Sequence, residues 1–125
     1  MSESQSVIVD FIAKGESESE WRMVLVEQGP LKCSINDFLF KLQDRLYDTI
    51  DAAIDGKLAQ KFPESQGKKI IIRLDCYDLP GSEIRSFFNA FSEGALNPDD
   101  YQRALENNQF VDGIGFEINF DRADL

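Results

Sequence analysis

Asp75 and Asp78 are the residues whose type and spacing come nearest to chemistry. Two carboxylates at the end of a strand can hold Mg²⁺, and Asp10, on a strand that could lie alongside, would supply a third ligand. A divalent-metal-dependent enzyme is the activity such a set would serve. Neither a base nor a phosphate-binding loop accompanies them, and so acidic a chain brings two aspartates this close by composition alone. The plainer reading is a solvated strand end. Gly113 and Gly115 form a GxG, but it opens a strand where a dinucleotide fingerprint would open a helix.

The chain contains no histidine. That removes the Ser-His-Asp triad, the Cys-His pair, histidine-ligated zinc and any imidazole base. Cys33 and Cys76 stand too far apart for a CxxC motif and make no disulfide framework, so burial is the role expected of both. Phe87, Phe88 and Phe91 fall at helical spacing and, with Trp21, could line a pocket for a small ligand. Core packing is the ordinary role of aromatics so spaced. No motif calls for a cofactor.

These residues must be positioned by a handful of elements, and the longest spans residues 34–61. Ile35, Phe38, Leu39, Leu42, Leu46, Ile50, Ala53, Ile54 and Leu58 recur at three- and four-residue steps, which places them on one stripe of a helix. Ser34 and Asp37 mark its start as a capping box does. Gly56 costs about 1 kcal/mol relative to Ala within it, and Pro63 ends it. Run to its full length, the helix reaches roughly 40 Å and overhangs a seven-residue strand of about 23 Å. Its last turns would then need a later helix or a partner chain. The opposite face, with Lys41, Asp44, Arg45, Asp48, Asp51, Asp55 and Lys57, reads as solvated.

Residues 6–13 and 20–28 read as two strands of a hairpin around the acidic loop 14–19. Residues 69–77 form the clearest strand, with Ile70, Ile72, Leu74 and Cys76 on one face and Ile71, Arg73, Asp75 and Tyr77 on the other. A helix capped by Ser82 follows, then a shorter one started by Asn97 and Pro98. The strand at 113–120 points Ile114, Phe116, Ile118 and Phe120 inward. The order ββαβααβ predicts a single α+β domain over residues 1–125: a four-stranded mixed sheet, helices on one face, strand order 2-1-3-4.

The 125 residues suffice for one core, and the 42% hydrophobic and 29% charged content is that of a globular protein. No apolar run reaches the roughly 18 residues of a membrane span, and the N-terminus has no signal-peptide pattern, so a cytoplasmic protein is expected. The net charge is −10 and the pI about 4.4. Such a field repels nucleic acid and anionic membranes and attracts a basic protein. It also serves plain solubility.

Residues 7–80 resemble a family of small bacterial proteins classed as a domain of unknown function. The likeness lies in Leu42, Gln43, Asp44, Arg45 and Leu46, then Gly56, Phe62 with Pro63, Gly67 with Lys68, and Pro80; Gly113 to Phe116 fits as well. Residues 94–112 look longer than the family's usual connection. The resemblance implies the scaffold and carries no activity.

The residues together point to a non-enzymatic protein that works by binding a protein partner or a second copy of itself. One form is an acidic inhibitor or immunity protein that neutralises a basic toxin. Phe40 and Tyr47 mark a second apolar strip on the long helix, open to the third helix or to a partner chain. Ile71, Arg73 and Glu117 mark a contact surface on the outward sheet face.

Overall fold

The computed structural model describes residues 11–14 and 19–121. The described elements run β1 (Phe11–Lys14), β2 (Glu20–Gln28), α1 (Ile35–Ile54), α2 (Lys57–Lys61), a 3-10 turn (Pro63–Ser65), β3 (Lys68–Tyr77), α3 (Gly81–Gly94), α4 (Asp99–Asn107) and β4 (Val111–Phe120). No helix among the described residues is long and apolar enough to cross a membrane.

The expected four-stranded mixed sheet in the order 2-1-3-4 is corrected. The α+β fold is built on a three-stranded all-parallel sheet, β2-β3-β4, served by four helices. The strands stand side by side in chain order, and β1 adds four antiparallel residues along the outer edge of β2. The reason is the content of the connections. Each parallel step needs a crossover of a dozen or more residues, and α1 with α2, then α3 with α4, provide two. The remainder of the strand expected over residues 6–13, residues 6–10, lies outside the described residues.

The single helix expected over 34–61 is corrected as well. Ser34 caps α1 as its type suggests, its Oγ accepting the Asp37 N–H at 3.1 Å. The helix stops at Ile54, and Gly56 turns left-handed with φ of 91° before α2 begins. At 20 residues, α1 is about 30 Å long, against about 33 Å for β3. It therefore spans the sheet without overhang. The redirected α2 tucks Leu58 and Ala59 inward instead. At α3, Pro80 takes the cap position expected of Ser82, whose hydroxyl bonds Glu83 within the first turn.

Two apolar clusters lie between the helices and one face of the sheet. The larger joins Leu25, Ile72, Leu74 and Cys76 to Leu42, Leu46 and Ile50 of α1 and Ile84, Phe88 and Phe91 of α3. The smaller joins Trp21, Met23 and Ile70 to Ala52, Ala53 and Leu58. Alternation along β3 therefore sends Ile71, Arg73 and Asp75 to the face away from the helices.

Candidate functional site

Asp75 is not the solvated strand end expected of it. Its side chain is buried, with 1% of the residue exposed. Arg73 holds it in a fork, Nε to Oδ1 at 2.8 Å and Nη2 to Oδ2 at 2.9 Å. Asn119, its register partner on β4, donates Nδ2 to Oδ1 at 3.3 Å. Both oxygens are engaged, so a cation would have to displace the guanidinium. Asp78 lies beyond the strand, exposed, at a left-handed φ of 58°. Its backbone N–H donates to Asp121 Oδ1 at 3.0 Å. Among the described residues no group of three carboxylates or thiols could hold a metal. Asp10 lies outside the described residues.

The same sheet face carries a second ion pair that the sequence reading missed. Arg22 donates Nε to Glu117 Oε1 at 2.9 Å and Nη2 to Oε2 at 3.3 Å. Alternation alone puts Arg22 and Glu117 on one face. Only the order β2-β3-β4 leaves a single strand for the arginine to bridge. Ile71 sits between the two pairs and is buried, as is Val24, yet neither belongs to the apolar clusters under the helices. Of the residues expected to bind a partner, Ile71, Arg73 and Glu117 thus share one face. Phe40 and Tyr47 are elsewhere.

Phe40 and Tyr47 do not form one strip. Tyr47 is covered by the later helices: its ring meets Phe91 edge-on at 5.0 Å and stacks on Tyr101 at 6.1 Å. Phe40 remains 70% exposed, beside an open hollow of about 210 Å³ lined by Asp37, Lys41 and Asp44. The aromatics at helical spacing take the core role that is ordinary for them. Phe91 packs on Phe87 and Phe116, whereas Trp21 lies in the other cluster with Phe62 at 5.8 Å. The aromatics fill two cores and do not converge on one cavity.

Tyr101 is the second residue the sequence reading undervalued. Its hydroxyl donates to Asp51 Oδ1 at 2.8 Å, and its ring stacks on Tyr47, so one side chain fastens α4 to α1. Exposed carboxylates are frequent on both helices: Asp44, Asp48 and Asp51 on α1 with Asp55 just past its end, and Asp99, Asp100 and Glu106 on α4. Arg103 on the same helix is bound to Asp100 at 3.2 Å.

Cys33 is exposed and Cys76 buried, so the expectation of burial holds for Cys76 and is corrected for Cys33, which sits on the exposed approach to α1. Burial, reinforced by Glu27, Asp75 and Asp121, pushes the Cys76 thiol from 9.0 up to about 12. Tyr101 moves the same way, first through burial and then through its bond to Asp51. Both folded values lie above the unfolded ones. Their contribution is complete below the unfolded values and is lost as the pH climbs towards the folded ones. Unfolding free energy in urea is therefore expected to decline steadily above about pH 9. The decline should be shallower in Cys76→Ala; an identical slope in that variant would show that the thiol plays no part.

No family model matches the chain, and comparison with curated proteins and with solved structures finds no match.

Proposed function

We propose that the protein acts by binding a basic protein partner, in the manner of an acidic inhibitor, and not by catalysis. The observation that supports this reading is the junction of α1 and α4, where Tyr101 bonds Asp51 and joins two helices that both expose acids. With a net charge of −10, such a surface raises the encounter rate with a cationic protein and keeps nucleic acid and anionic membranes away. The engagement of both Asp75 oxygens by Arg73 weighs against the metal-dependent alternative. The likeness to a bacterial family of unknown function bears on the scaffold alone.

The test is a titration against a panel of purified basic proteins with pI above about 9. Raising the salt from about 50 to about 300 mM is expected to weaken binding roughly tenfold. Replacing Asp48→Lys together with Asp99→Lys should weaken it further at low salt, since both residues are exposed and neither supports the core. Binding that ignores salt and both substitutions, or no binding to any member, would overturn the reading.

A further inference from the structure

Phe40 is the most exposed large apolar side chain among the described residues, on a helix whose other face is buried in the core. An exposed phenylalanine needs no explanation by itself. The hollow beside this one, about 210 Å³, is roomier than the cavity of about 150 Å³ that accepts a benzene molecule. A second phenyl ring therefore fits next to that of Phe40.

The charges around the hollow say whose ring it is. Asp37, Lys41 and Asp44 line it, and no ion pair among the described residues engages any of the three. Lys32 is exposed just before the helix, so Lys32 and Lys41 balance Asp37 and Asp44 at this end of α1. Further along, the exposed charges are the acids Asp48 and Asp51. In a chain of net charge −10, the balanced end is where two copies can meet without like charges opposing each other. An interface between identical surfaces must be self-complementary, and a patch with both signs and one apolar knob beside a hollow meets that demand.

A twofold axis across the helix runs the two α1 helices antiparallel. One register sets Phe40 beside Phe40 of the second copy and brings Lys41 level with Asp37 of the second copy, and the symmetry makes that ion pair twice. Asp48 and Asp51 then lie past the start of the second copy's helix, where no carboxylate of that helix opposes them. A slide of three residues, about 4.5 Å, would set Asp37 against Asp44 instead, so the charges also select the register.

We propose that the N-terminal half of α1 is a self-association surface: the Phe40 ring of each copy enters the hollow of the other, and Lys41 of each pairs with Asp37 of the other. The contact is independent of the basic-partner reading. Two helical turns per copy make a small interface, so the dimer is weak and reversible. The test is sedimentation equilibrium of the full chain from about 0.02 to about 2 mM, in about 150 mM salt to screen the net repulsion. The average mass is expected to climb from 14.2 kDa towards twice that value. Phe40→Ala, at so exposed a position, should keep the urea midpoint of the wild type and raise the dissociation constant tenfold or more. Lys41→Asp should raise it as much, and adding Asp37→Lys should restore association, because the pairs re-form with their signs exchanged. The helix cap survives that change, since Ser34 accepts the backbone N–H of residue 37. A mass that stays at the monomer value throughout would overturn the proposal. So would a dimer indifferent to Phe40→Ala, or one that Lys41→Asp weakens and Asp37→Lys does not restore.

Discussion

Arg73→Leu is expected to destabilise the fold by about 3 kcal/mol, because it leaves a carboxylate buried without its counter-charge. The Asp75 side chain is 2% exposed and that of Arg73 15%, so water does little to screen the pair. Once the guanidinium is gone, the Asn119 amide at 3.3 Å is the one side-chain hydrogen bond left to Asp75 among the described residues. In a domain of this size the melting temperature should drop on the order of 10 °C. Replacing both partners with leucine should cost much less, since an ion pair of this kind often breaks even against apolar side chains of similar volume. The comparison of single and double variants in urea is decisive. If Arg73→Leu costs under about 1 kcal/mol, Asp75 is solvated after all, and its carboxylate is again open to a cation. The wild-type melting temperature should accordingly stay put in millimolar Mg²⁺, since the ion must compete with a bidentate arginine.

That pair also shows where sequence reasoning stops. Alternation placed Arg73, Asp75 and Glu117 on one face correctly, because the two-residue period of a strand is local. It could not say that Arg73 turns back on Asp75, that Asn119 stands opposite, or that Arg22 reaches Glu117. Those facts depend on which strands are neighbours. The apolar pattern was equally local and equally legible: β2 was found to the residue, and β3 and β4 to within two. The strand order was not, because nothing in strands this apolar distinguishes a return beside β1 from a return beside β2. The junction of α1 and α4 was out of reach for the same reason. Asp51 and Tyr101 are 50 residues apart, and only the packing of α4 on α1 makes them a hydrogen-bonded pair. The spacing of Phe87, Phe88 and Phe91 gave their core role, but it could not say that Trp21 packs in the other cluster.

Gly56→Ala is expected to cost about 2–4 kcal/mol, several times what glycine-for-alanine exchanges do in an ordinary helix, and with the opposite sign. Helix propensity favours alanine there, and the apolar periodicity that runs across it was the basis for expecting one unbroken helix. Two local facts oppose it. The residue has φ of 91°, a region that costs an L-residue roughly 1–2 kcal/mol. An added Cβ would also lie 2.8 Å from the ring of Phe110, inside any real contact. Phe110 belongs to the cluster of Trp21, Leu58 and Val111, so the ring cannot retreat without opening that core. Gly67→Ala separates the two effects. It has φ of 81° but nothing within 4 Å of the new methyl, so it should show the backbone strain alone. The excess of the Gly56 variant over the Gly67 variant measures the collision with Phe110, and Phe110→Ala should remove that excess in a double-variant cycle. A Gly56→Ala protein within about 0.5 kcal/mol of wild type would mean that α1 and α2 can fuse into one straight helix at little cost. Leu58 and Ala59 would then leave the core, and the break at Gly56 would not be what holds the smaller cluster closed.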